Sequence, residues 1–324
     1  MKLRVATFNL ENLDDIVDQS PSLAERIKVL APQLERLRAD ILCFQEVHGQ
    51  EQQNEKRQLL ALQSLLNATS YATYHVRHVK TSNDEAYDQR NLVVVSRFPI
   101  TEVEQYHHDL TPAPAYQKVT AIPDETEAKP VKWERPILYT KIAVREGFEL
   151  HLINLHLKSR IPSNISGQKI NNYTWREAYA WAEGFFISSM KRVGQALEAR
   201  VLVDRLFDAD AAAKIIVCGD FNGHPDEVPV EAIRGRVENT GNPDLIHREM
   251  VPAENTIPDS ARYTYLYNGR KRLLDHMLIS KTLIPYYRNA EIHNEVLHDE
   301  TIAFALDTKF PESDHAPFVV EFEI

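Results

Sequence analysis

The chain has 324 residues, 43% hydrophobic and 26% charged, proportions that exclude global disorder and suit one large layered domain. Ten glycines are too few for collagen-like or glycine-linker architectures. A net charge of −10 has the wrong sign for gripping duplex DNA over a broad basic face, but leaves a small local nucleic-acid site open.

In chain order, residues 3–10 predict a strand, and apolar Leu23, Ile27, Leu30, Leu34 and Leu37 predict a helix over 22–37. Ser22 with Glu25 three residues on forms a capping box for it. A strand is expected over 40–47 and a helix over 50–66, followed by strands over 74–79, 91–98, 101–106, 137–144 and 149–157. The Pro-containing tract 111–130 reads as a loop, as does the polar segment 159–172. A long helix is expected over 173–207, then strands over 214–218, 273–280 and 318–322, with a run at 263–267. Cys43 and Cys218 lie inside the apolar runs ILCFQEV and IIVCGDF and are expected to be buried thiols in a reducing compartment. No stretch reaches the roughly 18 apolar residues of a membrane-spanning helix. The N-terminus has no apolar signal core, so the chain is expected to begin at Met1 and to work in the cytoplasm.

Polar motifs sit at the ends of the apolar strands, where layered α/β proteins expose their working residues. They are Asn9 and Glu11 (TFNLEN), Glu46 (CFQEV), Arg90 and Asn91 (QRNLVV), Asn154 and His156 (INLHLKS), Asp220 and Asn222 (CGDFN), Asp275 and His276 (LLDH), and Asp314 and His315 (ESDHAP). Singly each has a plain reading: an Asp after a strand is a cap or turn residue, Glu46 a strand-end charge, His156 a hydrogen-bonded core histidine.

Together, in this order, they make the chain resemble the endonuclease/exonuclease/phosphatase superfamily, the deoxyribonuclease-like metal-dependent phosphoesterases. The resemblance runs from residue 9 to residue 315, with GDFN and SDHAP its most specific pieces. It implies an α/β four-layer sandwich of two packed mixed β-sheets flanked by helices, forming a single domain over 1–324 with a helical insertion at about 159–208. It also implies roles. Glu46 and Asp314, with Asn9 and Glu11, would hold Mg²⁺ or Mn²⁺, since oxygen ligands without cysteine disfavour zinc. His315, oriented by Asp275, would be the general base. Asp220 would align or deprotonate the attacking water or protonate the leaving group, and Asn222 and His156 would hold phosphate oxygens. Asn154 would orient its neighbours or touch substrate. His276 reads as packing as readily as chemistry, and His224 as padding for the GDFN loop.

Two departures bear on substrate. The link after the N-x-H strand is expanded, and Trp175, Tyr179, Trp181, Phe185 and Phe186 concentrate aromatics there. They either bury the helix against the sandwich or form a wall beside the site, where Trp175 would stack a ring and Lys158 and Arg160 would meet anionic groups. Basic residues are sparse and clustered: Arg270, Lys271 and Arg272 before LLDH, and Lys191, Arg192 and Arg200 on the long helix. Arg90 and Arg135 read either as phosphate contacts or as surface arginines. The leading expectation is a monomeric, metal-dependent phosphodiesterase of nuclease type, with no membrane or protein partner. The alternatives are a phosphatase or diesterase acting on nucleotides, sugar phosphates or lipid head groups, and a non-catalytic binding protein on the same scaffold.

Overall fold

The computed structural model describes residues 1–53, 55–306 and 309–324. The first half supplies β1 (Lys2–Leu13), α1 (Leu23–Leu37), β2 (Ile41–Val47), β3 (Gln50–Gln52), β4 (Glu55–Gln58), α2 (Leu60–Asn67), β5 (His75–His78) and β6 (Asn91–Ser96). There follow β7 (Ile100–Tyr106), β8 (Ala115–Tyr116), β9 (Lys129–Pro130), β10 (Ile137–Arg145), β11 (Phe148–His156), α3 (Ala178–Ala209) and β12 (Ile215–Asp220). The remainder is α4 (Val228–Arg234), α5 (Val237–Thr240), β13 (Met250–Pro252), β14 (Tyr265–Tyr267), β15 (Arg270–Arg272), β16 (Asp275–Ser280), β17 (Tyr287–Ile292), α6 (Glu300–Leu306) and β18 (Phe318–Glu323).

Two six-stranded mixed sheets carry the fold, one ordered β17-β18-β1-β2-β6-β5 and the other β13-β16-β12-β11-β10-β7. Their facing sides share one core, in which Val5, Cys43 and Val94 of the first sheet meet Leu152, Cys218 and Met277 of the second. The outer side of the first sheet buries Phe8, Phe44 and Val93 against Leu30 and Leu34 of α1 and Leu62 of α2. The outer side of the second buries Ile153 and Val217 against Leu202 and Val203 of α3 and Ile233 of α4. The order is therefore helix, sheet, sheet, helix, the four-layer α/β sandwich expected from the sequence.

Strand alternation decides which polar residues reach the site. The inward rows continue past the apolar core into polar ends: Val5 to Asn9 on β1, Cys43 to Gln45 on β2, Leu152 to Asn154 and His156 on β11, and Cys218 to Asp220 on β12. On β16 the same parity sends Asp275 inward with Met277 and sends His276 to the helix side with Leu278. Gly219 stands between the last two residues of the β12 row at φ 132°, and a Cβ there would lie 1.9 Å from the Leu155 carbonyl oxygen. Gly219→Ala is expected to destabilise the protein by about 3 kcal/mol, read as a lowered urea midpoint at unchanged slope.

Four readings differ from the structure. The helix expected over 50–66 is only α2, preceded by the hairpin β3–β4. Residues 50–58 are wholly polar and have no stripe to bury, while the Gln50 side chain accepts the backbone N–H of Ala61 at the helix start. The long helix begins at Ala178, because residues before it fold back as a small loop closed by backbone bonds from Ile170 to Thr174 and from Arg176 to Gln168. Strand β17 was not expected; it is an edge strand with only Ala290 fully buried, too weak an apolar pattern to read. The expected insertion over 159–208 also divides. Ala196, Ala199 and Phe207 belong to the outer core of the second sheet, so the part outside the four layers ends near residue 191.

Candidate active site

A cleft of about 370 Å³ opens where the inward polar rows end. Alternation alone would place Glu46 on the helix side with Phe44. A bulge in the β2–β6 pairing between Phe44 and Val47, with Glu46 at φ 57°, turns its carboxylate into the cleft instead. Glu11 and Asn12 make the same kind of turn at φ 45° and 50°, where the β1–β2 register slips. Arg90 and Asn222 are also left-handed, so among the described residues five of the ten non-glycine residues with positive φ line this one cleft. Strain of this kind, about 1–3 kcal/mol per residue, persists where surrounding structure enforces it and clusters at working sites.

Arg26 of α1 holds the Glu11–Asn12 turn. Its guanidinium donates to the carbonyls of Leu10 (2.7 Å), Glu11 (2.9 Å) and Pro311 (3.3 Å), tying the Glu11 turn to the segment before Asp314. Ser313 completes the junction by donating to the Asn9 carbonyl at 2.7 Å and accepting the His315 N–H at 3.1 Å.

Asp220 sits at the centre. Its Oδ1 accepts the Asn222 N–H at 2.8 Å, and its Oδ2 accepts Asn222 Nδ2 at 3.1 Å and Asn9 Nδ2 at 3.2 Å. His156 Nε2 lies 3.3 Å from the same Oδ2 and 3.5 Å from Glu46 Oε1. His315 Nδ1 donates to Asp275 Oδ2 at 2.7 Å, which leaves Nε2 facing Asp220 at 3.9 Å. Burial, with Asp275 and Glu46 nearby, raises the Asp220 carboxyl to about 7 despite His315. Burial also depresses His156 far below 6.5, reinforced by Arg135 and Arg90, so its ring is neutral. His315 goes the other way: burial opposes its charge, but Asp275, Asp314 and Asp220 outweigh it and hold the ring well above 6.5. The surrounding carboxylates thus favour the protonated form of His315, whose Nε2 faces Asp220.

The acidic side of the cleft has the chemistry of a cation site. Glu11, Glu46 and Asp314 all line it. Burial, with Asp314 nearby, raises Glu11 to about 8; burial, with Glu46, Glu300 and Asp220 nearby, raises Asp314 to about 7 despite His315. Donors that are all oxygen suit a hard divalent cation. Asp220, Asp275 and His315 also bring ligand-type atoms within 4.8 Å of one another. In that group, however, Asp275 already accepts the His315 proton, so we read it as a proton-handling cluster rather than a cation cage.

The remaining predicted residues are distributed unevenly. Asn9 is buried with both ends of its amide engaged, to Asp220 and to the Glu11 N–H, so it positions those two rather than facing a cation. Asn154 is fully buried and bridges the sheets: its amide donates to the Phe44 and Val93 carbonyls and accepts from Gln45. It is out of a substrate's reach. Arg90 and Arg160 line the cleft, Arg160 paired with Glu227. Lys158 does not; it lines a neighbouring cavity, and its ammonium donates to Ser159 Oγ and the Ile161 carbonyl. Trp175 also stands outside the cleft. It packs against a small cluster of Ala121, Val131, Ile165 and Ile187, with Lys169 over its ring, because the loop before α3 folds back onto that helix.

His276 shows why parity matters. Its Nδ1 pairs with Glu254 at 2.6 Å and its Nε2 with the Gly223 carbonyl at 2.8 Å, clamping the loop after Asp220 from behind. His276→Ala is expected to cost about 3 kcal/mol by leaving Glu254 buried and unpaired, measured by denaturant unfolding.

Sequence reasoning missed Asn12, Tyr265 and Arg26 and left Arg135 open. Arg135 and Arg272 join Arg90 and Arg160 on the cleft wall. Tyr265 forms a backbone bridge with His315, its ring 5.3 Å from the imidazole. No pattern in a single sequence marks a lone tyrosine or a helical arginine for such duty.

Comparison with known proteins agrees with this architecture. The family model described as endonuclease/exonuclease/phosphatase matches residues 6–315. Among solved structures, a humanized D. rerio TDP2 with 14 mutations superposes with a TM-score of 0.58 at 17% identity, covering 100% of this chain and 99% of its own. An endonuclease/exonuclease/phosphatase family protein from Bacteroides thetaiotaomicron gives 0.59 at 16% identity, covering 99% and 95%. D. rerio TDP2 complexed with single-strand DNA product gives 0.56 at 17% identity, covering 100% and 99%. No curated protein matches the chain in sequence. The chain belongs to the endonuclease/exonuclease/phosphatase family and is a phosphoester-hydrolysing enzyme.

Proposed function

We propose that the protein is a divalent-cation-dependent phosphodiesterase of nuclease type, a single domain over 1–324, acting in the cytoplasm as a monomer. The observation that carries this is the polarity of the cleft. Four arginines (Arg90, Arg135, Arg160 and Arg272) line it together with the carboxylates of Glu11, Glu46, Asp220, Glu300 and Asp314, so a protein of net charge −10 offers both cations for a phosphate and oxygen ligands for a metal in one cleft. The structure with single-strand DNA product among its neighbours supports a nucleic-acid substrate.

Glu46, Glu11 and Asp314 would hold Mg²⁺ or Mn²⁺, which when bound neutralises charge on the phosphate. Asp220 Oδ2, near 7, accepts a proton from the attacking water for in-line displacement at phosphorus. His315 Nε2, protonated through its Asp275 pairing, donates to a phosphate oxygen or the departing alkoxide. Neutral His156 and the Asn222 amide place the remaining oxygens. Lys158, Trp175 and Asn154 do not enter this scheme. A small-molecule phosphoester is the second reading, favoured by a cleft of about 370 Å³, the size of a metabolite pocket. Among the described residues no helix is long and apolar enough to cross a membrane.

Nicking of supercoiled plasmid in Mg²⁺ tests the reading. Nicking that EDTA abolishes would support the nuclease. Absence of nicking by folded protein that still hydrolyses a nucleotide diester would favour the small substrate.

A further inference from the structure

Beside the cleft lies a second, larger cavity of about 620 Å³. The two share a wall. Lys158, Pro162 and Ser163 face the larger one, and Ser159, Arg160 and Ile161 of the same loop face the cleft. Glu134 and Arg135 divide in the same way. The larger cavity is closed by Pro130 and Val131 of the loop around β9 and by Ile187 of α3, so most of it is built by segments outside the four layers.

Its charge is what sets it apart. Lys118, Lys129, Lys132, Lys158 and Lys191 all line it. Two carboxylates oppose them: Glu125 pairs with Lys118 at 3.6 Å and Lys129 at 3.3 Å, and Glu134 with Lys191 at 2.7 Å. Lys132 and Lys158 make no ion pair among the described residues, so the lining carries a clear positive excess in a chain of net charge −10. Like charges gathered in a concave wall are unfavourable unless an anion joins them.

We propose that this cavity is a second anion subsite, which takes a phosphate carried on the same substrate molecule as the phosphate hydrolysed in the cleft. The proposal rests on the phosphoesterase reading of the neighbouring cleft. Lys158 is the link between the two: it follows His156 by two residues and lines the larger cavity, while its ammonium donates to Ser159 Oγ and the Ile161 carbonyl of the shared loop. Burial pulls that ammonium down to about 8 against the pull of Glu134, with Arg135 and Lys191 adding to the depression, and a bound phosphate would reverse the trend. The subsite asks for a substrate at least two phosphates long, such as an oligonucleotide, and gives no help to a lone diester.

The test compares wild type with a Lys118→Glu, Lys132→Glu double variant, and with Lys132→Glu alone should the double variant fail to fold. The substrates are bis(p-nitrophenyl) phosphate and a single-stranded pentanucleotide. Expected is a rise in KM for the pentanucleotide of about tenfold with kcat unchanged, no change with the single-phosphate diester, and a shallower salt dependence of pentanucleotide binding. Equal KM for the pentanucleotide in both proteins, or equal losses on both substrates, would overturn the proposal. Inorganic tripolyphosphate is the third arm. If it alters diester turnover in the wild type but not in the variant, the cavity holds a separate effector and the proposal fails. Anisotropy of a labelled pentanucleotide in EDTA needs no turnover. If the wild type hydrolyses neither substrate, the phosphoesterase reading falls, and a tenfold weaker complex for the variant would still uphold the anion subsite.

Discussion

Asp220→Asn protein is expected to fold normally and to lose about 10²–10⁴-fold in kcat on a phosphodiester, with little change in KM. The amide is isosteric and keeps an oxygen for the Asn222 N–H, but its NH2 then faces the Asn9 and Asn222 amide donors, so local positioning is disturbed alongside the loss of proton transfer while the surrounding core is untouched. His315→Gln should also lose activity, but through a different limb of the pH profile. Asp220 must be deprotonated to accept a proton, so activity is lost as pH falls through its pKa. His315 must be protonated to donate, so activity is lost as pH rises through its own, which the surrounding carboxylates hold high. A pH–rate profile of His315→Gln that keeps the acid limb and loses the alkaline one would match this assignment. Loss of the acid limb instead would return the base role to His315, as the sequence alone suggested.

The second large effect concerns the cation. Glu46→Gln is expected to weaken Mg²⁺ or Mn²⁺ activation by about 10–100-fold, read as a shift of the half-activating concentration at constant ionic strength. The wild type should also be stabilised by the cation, by about 2.7 kcal/mol at one hundred times its dissociation constant. Neutralising the buried carboxylates of Glu11 and Asp314, both raised by burial and by neighbouring carboxylates, is the physical source of that gain. An unchanged melting temperature for wild type on adding Mg²⁺ or Mn²⁺, together with activity indifferent to EDTA, would rule the cation site out.

Much of this was legible in the sequence because strand parity is simple. With strands read over 149–157 and 273–280, Asn154 and His156 must share one face and Asp275 must point opposite to His276; the strand read over 214–218 runs on to Asp220, which keeps the parity of Cys218. Parity alone misplaces Glu46; only the bulge brings it to the cleft, and a bulge leaves no mark in residue type. Depth is hidden too. Asn9 and Asn154 were grouped with the cation ligands and substrate contacts, yet they end up as buried braces, because sequence gives the row but not where solvent begins along it. The fate of Lys158 and Trp175 depended on a loop that folds back on its own helix, a long-range packing choice that composition does not reveal.

The left-handed backbones of Glu11, Asn12, Glu46, Arg90 and Asn222 carry an evolutionary cost as well. Glycine would relax the chain at each of these positions, but glycine offers no carboxylate, amide or guanidinium. Selection for heat resistance alone would therefore draw substitutions to the rim and silence the enzyme on the way. An engineer seeking a hardier version should hold those five residues fixed and look for added stability in the outer helices.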